Sequence, residues 1–439
     1  MSRPSRHILP VLAFSLLGFL YLLYAVQFPI FEGPDEQQHY NYIRFLAVER
    51  RLPNQTNTPP DVAGEGYQPP FAYSLAAVIA RVASFSLPEY QLVNRHDPSS
   101  YEFLHAKDEF LLEYDYFRSV FFLRVLGVIE GILMVFIAYK TFGLLFSGAR
   151  HWQLLATGFV GLLPQFAAQN SYISNDPLSF LLAAALIYFL VVSFVRGISM
   201  KRIFFASMFV GLGLVTKSSL FLFFPVLIVA TIWLSRGIRT RIRFILIAMA
   251  VIIPVLISGW WYLRNISVYG DLFASSAQIE FELKRPITDV YFAHEFFLLL
   301  KNSFFGYFGK LRFVQHEIIQ IPLQILYGAG FALLGIAALN RTTAREQKES
   351  FSSPRSRVTV LFGICIILQF LLVVLFNLQY PQPHGRFLFP TLVPIAFLVT
   401  LGYERILTLS RKNERKFVGA LFFILLLANV YTLFIRFSS

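Results

Sequence analysis

The chain carries little charge for its length. Only 14% of its 439 residues are Asp, Glu, Lys or Arg, whereas 56% are hydrophobic and 17% are aromatic. A soluble protein of this size would carry far more charge, so the composition excludes that class and indicates a polytopic membrane protein. Cysteine is nearly absent too. The single Cys365 lies within an apolar run, which excludes an internal disulfide and a metal–thiolate site.

Acidic residues are fewer than basic ones, and the net charge is +13. The basic residues form short clusters between apolar runs, as expected of cytoplasmic loops, so we expect no nucleic-acid partner. The apolar run 8–28 is too long for a typical signal peptide, and no small-residue cleavage motif follows it. We therefore expect a retained signal anchor with its N-terminus in the cytoplasm.

About 20 apolar residues cross a bilayer as a helix. Runs of suitable length are 8–28, 119–139, 152–172, 177–195, 244–262, 323–339, 358–377, 387–403 and 417–435. The segments 71–87 and 203–234 are ambiguous. The basic clusters contain more than half of the 38 Lys and Arg residues. They all lie on the same side of the membrane only if 71–87 does not cross it and 203–234 crosses it twice. We predict an all-α polytopic integral membrane protein with about eleven transmembrane helices.

This topology places two large loops on the outer face of a single membrane domain, 1–439. They are 29–118, which contains the amphipathic segment 71–87, and 263–322. Segment 71–87 is expected to lie at the interface and rest on other parts of the protein. The charged and Ser-rich segment 340–357 is predicted to be a mobile cytoplasmic loop.

Two adjacent carboxylates, Asp35 and Glu36, follow the first apolar run directly, with His39 one helical turn later. Ionisable groups at the end of a span are candidates for chemistry in a membrane enzyme. Acids in a first helical turn also complement the helix dipole, which is the structural alternative. We expect Gly33 and Pro34 to be the N-cap and first residue of the following helix. A second His that would complete a zinc-protease motif is missing.

Further polar residues are predicted at the same membrane depth, and they are Asn175, Asp176, Lys217, Arg264, His384 and Arg386. Each has a structural alternative. The Asn-Asp pair precedes a proline and can cap a helix, Arg264 can snorkel to lipid phosphate, and Lys217 can mark the end of a span. Carboxylates act as general bases, and cations at this depth suit a phosphate leaving group. A lipid-phosphate substrate would explain both sets.

The motif Pro-Asp-Glu-x-x-His at 34–39 resembles the first-loop acid motif of the GT-C superfamily, membrane glycosyltransferases that use polyprenyl-phosphate sugars. The similarity is greatest to its protein-mannosyltransferase-like and aminoarabinose-transferase-like branch. Further similar segments follow in family order over almost the whole length. They are Gln68–Tyr73, Ser174–Asp176, Gly213–Lys217, Trp261–Asn265, Tyr269–Asp271, Phe304–Gly309 and Gly385–Pro390.

The resemblance implies that Asp35 deprotonates an acceptor hydroxyl, which then attacks the sugar with inversion, while Glu36 holds acceptor or sugar. It implies that the lipid phosphate is neutralised by Lys217, Arg264 and Arg386, with His384 assisting. His39, Asn175 and Asp176 are further candidates for substrate binding. The implied partners are a polyprenyl-phosphate-linked sugar donor, membrane lipids, and a lipid, glycan or protein acceptor. Some members use a divalent metal, and this sequence leaves that point open.

We expect a multi-pass plasma membrane protein, in the bacterial inner membrane, with its site on the outer face.

Two other functions are alternatives. A polymerase or ligase of lipid-linked polysaccharide would use diphosphate-linked donors and outer-loop Arg and His, without an acid pair after the first span. A flippase or transporter would have polar residues along its spans and pseudo-symmetric halves. The predicted spans are nearly free of charge, apart from Arg124 and Glu130, which are too far apart along one helix to form a close pair.

Overall fold

The computed structural model describes residues 5–89, 115–277, 291–309, 313–339, 353–407 and 414–434. Within these ranges, eight helices are long and apolar enough to cross a membrane. Their bounds are Ser5–Gln27, Asp115–Leu145, Asp176–Arg196, Thr240–Tyr269, Glu317–Leu339, Pro354–Asn377, the composite Gly385–Leu407 and Glu414–Leu433. The composite helix begins as the 3₁₀ segment Gly385–Thr391 and continues as the α-helix Leu392–Leu407. The predicted class, an α-helical multi-pass membrane protein, is confirmed.

Shorter elements connect these helices. The α-helices are Glu36–Glu49, Phe71–Val82, Arg150–Gly161, Pro164–Gln169, Met200–Leu214, Phe223–Leu234 and Phe297–Phe305. A 3₁₀ turn spans Ser218–Leu222 and a π-helical turn spans Tyr291–Phe296. Two short strands, Tyr307–Phe308 and Phe313–Val314, pair antiparallel.

The predicted span 152–172 is not one continuous helix. It breaks after Gly161 and restarts at Pro164, which stands at the start of a helix because proline has no backbone N–H to donate within one. The run 203–234 is a pair of short helices joined by a turn at Lys217, as predicted. Since these pieces are shorter than the eight long helices, the count of about eleven crossings is not confirmed.

Two loop boundaries also differ from the prediction. The helix Thr240–Tyr269 continues seven residues beyond the predicted span end at 262, so the start of the predicted second loop is helical. The helix Phe71–Val82 is too short to cross a bilayer and packs against Glu36–Glu49, in agreement with the prediction. Most of the segment predicted as a mobile loop, residues 340–352, lies outside the described residues.

A small hydrophobic core holds the first loop over the ends of the long helices. It includes Ile30, Tyr42 and Tyr73 from the loop and Phe117 and Ile173 from the helical domain. Because these side chains are almost fully buried, the loop segment is anchored by apolar contacts at both of its helices. This packing brings residues 33–36 against the connections between the later helices.

Candidate active site

Asp35 occupies a tight turn between the first long helix and the helix Glu36–Glu49. It is the N-cap residue, with a left-handed backbone (φ 57°), so the N-cap is not Gly33 and Pro34 is not helical, contrary to the prediction. Asp tolerates this conformation better than most residues. A Cβ at Gly33 would lie 2.7 Å from Cγ of Tyr172, so only glycine fits there. The turn leaves the Asp35 side chain 51% exposed.

The neighbouring Glu36 is fully buried and faces the helical domain instead. Its carboxylate accepts hydrogen bonds from Nε (2.7 Å) and Nη2 (2.8 Å) of Arg124, and also from the backbone N–H groups of Gly33 and Ile173. Arg124 donates in addition to three carbonyls at the end of the first helix, those of residues 25, 28 and 29. With its oxygens engaged in this way, Glu36 holds the turn in place and does not face the side on which Asp35 is exposed.

Four charged side chains, of which Asp35 is the first, form a row of alternating sign. The guanidinium of Arg386 lies 3.3 Å from Oδ2 of Asp35 and 3.5 Å from Oδ2 of Asp176. The Nζ of Lys217 forms an ion pair with Oδ1 of Asp176, and the Gln169 amide donates to Oδ2 at 3.0 Å. We name Asp35, Arg386, Asp176 and Lys217 the charge ladder. It joins the first loop to three connections between long helices.

The backbone at Gly385 brings Arg386 into the ladder. The Gly385 N–H donates to Oγ of Ser303 (2.7 Å), and a Cβ at this position would collide with the backbone nitrogen of Phe304. Only glycine permits this close approach of two chain segments. The ring centroid of Phe387 lies 5.4 Å from the Arg386 guanidinium and 5.8 Å from the Lys217 ammonium, so both cations contact the same aromatic ring.

The charges at the site set the ionisation of its acid and its histidines. Burial would raise the pKa of Asp35, but the charge of Arg386 and its hydrogen bond to the carboxylate hold that pKa below its usual value. Burial lowers the pKa of His39 to about 4, and burial together with Arg386 lowers that of His384 to about 3. At neutral pH both histidines are therefore uncharged and Asp35 is ionised, as a general base must be before it accepts a proton.

A second group of side chains lies close to Asp35. The Nδ1 of His39 is 2.9 Å from the hydroxyl of Tyr73 and 3.7 Å from a carboxylate oxygen of Glu65. Donor atoms of Asp35, His39 and Glu65 all lie within 4.8 Å of one another. A neutral imidazole with two carboxylates is a donor set that suits a divalent transition metal, so these three residues fit a metal ion.

Two of the predicted site residues have other contacts. Arg264 donates from Nη2 to the carbonyl of Pro53 at 2.6 Å, and its guanidinium lies 5.0 Å from the Trp261 ring. It therefore fixes the first loop to the helix Thr240–Tyr269, and no described contact joins it to the charge ladder. Asn175 forms long hydrogen bonds, 3.4 Å each, to the Gln68 side chain and the Thr216 carbonyl. Asn175 thus links the first loop to the turn that precedes Lys217.

Sequence reasoning missed three residues of this region, Arg124, Gln169 and Glu65. An arginine within an apolar run is costly unless it is paired, so Arg124 was a signal of a buried acid, but its partner was not identifiable from spacing. Gln169 and Glu65 stand in no motif. Their placement became evident only with the tertiary contacts to Asp176 and His39.

Comparison with known proteins gives the class of the fold. No protein-family model and no curated protein matches the chain. Several solved membrane glycosyltransferases are similar in structure. ArnT from Cupriavidus metallidurans, bound to undecaprenyl phosphate, has a TM-score of 0.54 at 14% identity, over 91% of this chain. The Archaeoglobus fulgidus oligosaccharyltransferase, in complex with Zn and sulfate, has a TM-score of 0.54 at 13% identity, over 94% of this chain.

A third similar structure is the arabinofuranosyltransferase AftD from Mycobacteria, with a TM-score of 0.55 at 16% identity over 97% of this chain. The chain spans 61%, 52% and 27% of the lengths of these three proteins, in the order given. The chain thus has a fold similar to that of these three proteins, which confirms the GT-C-like fold predicted from the sequence motifs.

Proposed function

We propose that this protein is a glycosyltransferase that moves a sugar from a polyprenyl-phosphate donor to an acceptor hydroxyl. The observation that carries the proposal is the charge ladder, in which the half-exposed Asp35 pairs with Arg386, and Lys217 follows through the shared partner Asp176. One pocket would thus contain a carboxylate for the acceptor and two cations for a phosphate. The shared fold with ArnT, which binds undecaprenyl phosphate, supports the lipid class.

The proposed step is a direct displacement at the anomeric carbon. The Asp35 carboxylate accepts the proton of the acceptor hydroxyl as its oxygen forms a bond to C1 of the sugar. The bond between C1 and the phosphate oxygen breaks, and its electron pair remains on the phosphate. The products are the glycosylated acceptor and polyprenyl phosphate, whose added negative charge faces Arg386 and Lys217.

We place this site on the outer face of a plasma membrane, with the N-terminus in the cytoplasm. The distribution of basic clusters supports this orientation. The long apolar helices support insertion by length and composition. The acceptor, which is a lipid, glycan or protein, would approach from the side on which Asp35 is exposed.

A divalent metal is compatible with the proposal. Asp35, His39 and Glu65 would hold it, and a bound cation would polarise the acceptor hydroxyl and lower its pKa. Glu65→Gln weakens the metal site but keeps Asp35, so it separates the role of Asp35 as a metal ligand from its role as the general base. If the metal is used, activity is lost on chelation and in Glu65→Gln, and added metal restores the chelated wild type.

The test of function uses purified full-length protein and a panel of radiolabelled polyprenyl-phosphate sugars. Consumption of one phosphate-linked donor, with release of polyprenyl phosphate, is the expected result. Consumption of diphosphate-linked donors only would assign the protein to the polymerases or ligases of lipid-linked polysaccharide. Movement of an intact lipid-linked sugar across the bilayer, without transfer, would assign it to the flippases.

Asp35→Asn tests the proposed base. The variant should lose transfer and remain folded and inserted, because the side chain is half exposed and contributes one long ion pair of 3.3 Å. Glu89→Gln, which breaks the exposed 3.2 Å pair with Arg44, is the matched control and should retain activity. Wild-type rates in purified Asp35→Asn protein would remove Asp35 from the mechanism.

A further inference from the structure

Asp176 is the least accessible acid of the charge ladder. Its side chain is 3% exposed, against 51% for Asp35. Its two oxygens are divided between the cations, with Lys217 on Oδ1 and Arg386 on Oδ2, and Gln169 donates to Oδ2 as well. A sugar or acceptor would have to displace one of these groups to reach it, so direct substrate contact does not explain its position.

Helix capping does not explain Asp176 either. It is the first residue of its helix, its carboxylate is directed to the two cations, and its backbone N–H donates to Oγ of Ser174 at 3.3 Å, so another residue caps this helix start. The helix dipole favours a negative charge at this end, so the acid remains ionised beside Lys217 and Arg386. Its negative charge therefore offsets one of the two positive charges of Lys217 and Arg386.

The site also retains polar atoms that a ligand can use. Within the described part of the chain, Nε of Arg386 is buried and has no hydrogen-bond partner, although the other end of the guanidinium engages Asp35 and Asp176. The Arg386 side chain is only 7% exposed. An unsatisfied buried donor on a cation is costly, and an anionic ligand at this position would satisfy it.

The proposed reaction changes the charge that this site must hold. The donor is a phosphodiester with one negative charge, and the product is a phosphomonoester that carries between one and two negative charges near neutral pH, since its second pKa is about 6. Two uncompensated cations would attract the product more strongly than the donor. The ladder pairs two carboxylates with two cations, so its formal charges sum to zero.

We propose that Asp176 is a built-in counter-ion that weakens retention of the polyprenyl phosphate product and so permits turnover. This inference rests on the proposed function and names the regulation of the same site. Because electrostatic interaction scales with ligand charge, Asp176 should lower affinity for the monoester more than for a diester. It acts through Lys217 and Arg386, and is therefore a positioning and charge-balancing residue.

The experiment measures binding of undecaprenyl phosphate and of its methyl diester to full-length protein in neutral-lipid nanodiscs. Asp176→Asn should bind the monoester about tenfold more tightly than wild type does, a change of about 1.4 kcal/mol, with a smaller change for the methyl diester. In turnover, its kcat should fall and product inhibition should strengthen. Asp61→Asn removes an ion-paired acid of the loop 50–61 and serves as the matched control.

A charge-compensating variant keeps the test decisive if Asp176→Asn folds poorly. The double variant Asp176→Asn/Lys217→Gln removes both partners of the ion pair, which is less costly than leaving one buried charge alone. It should return the monoester-to-diester affinity ratio to the wild-type value, and Asp176→Glu should retain that ratio.

Two results would overturn the inference alone. Weaker binding of both ligands by Asp176→Asn would mean that Asp176 only holds the cations in place, and an unchanged affinity ratio would mean that its charge does not matter. In either case the proposed function stands, because the wild type still binds the lipid phosphate. Failure of the wild type to bind either ligand would overturn the proposed function itself.

Discussion

The buried pair of Arg124 and Glu36 gives the strongest stability prediction for this protein. The Arg124 side chain is 1% exposed and makes five hydrogen bonds of 2.7–2.8 Å, two to Glu36 and three to backbone carbonyls. Arg124→Gln leaves the Glu36 carboxylate buried without its cation. Loss of one partner from a buried pair costs about 3–5 kcal/mol, so we expect a decrease of that size in the free energy of unfolding.

The assay is equilibrium unfolding of purified protein in detergent micelles, followed by circular dichroism. Arg44→Gln is the matched control, because Arg44 pairs with Glu89 at 3.2 Å on the surface, and exposed pairs contribute about 0–1 kcal/mol. The double variant Glu36→Gln/Arg124→Gln should lose less than the sum of its single changes, since neither charge is left alone. If Arg124→Gln costs no more than Arg44→Gln, the buried pair does not hold the Asp35 turn in place.

Three further predictions test the packing, the pH response and the orientation. Gly385→Ala should lower the free energy of unfolding by about 1–3 kcal/mol because its Cβ meets the Phe304 backbone. The control Gly419→Ala has open space around its Cβ and should be neutral or stabilising. Equal effects of the two substitutions in thermal unfolding would contradict this prediction. The hydrogen bond from Arg51 lowers the pKa of Asp61 to about 2 from 3.8. This hydrogen bond therefore stabilises the folded protein above pH 4, and its stabilisation is lost as the pH falls towards 2. The difference in melting temperature between wild type and Asp61→Asn should shrink over that range, and a constant difference would refute the prediction. On intact cells, an impermeant maleimide should label Asn57→Cys but not Ser147→Cys in a Cys365→Ala background, and the reverse labelling would invert the topology.

The sequence by itself determined the class of protein, most helix positions and several members of the site. Apolar length and charge distribution are local properties, so they located the helices and the turn at Lys217 without knowledge of packing. The motifs around Asp35 and Arg386 identified two residues that lie 351 positions apart and form one ion pair. The break before Pro164 was misjudged because the residues on both sides of it are apolar, and the extension to Tyr269 because Arg264 and Asn265 end the apolar run while the helix continues.

Only the tertiary structure decided which charged residues face each other. Glu36 and Asp35 are adjacent in the chain, yet the left-handed turn at Asp35 directs Glu36 into the domain, towards Arg124, and leaves Asp35 beside Arg386. Arg264 was grouped with the phosphate-binding cations, but helix packing places it against Pro53. Such pairings depend on how distant helices approach one another, and a charged side chain in a run of sequence carries no information on its partner until that approach is known.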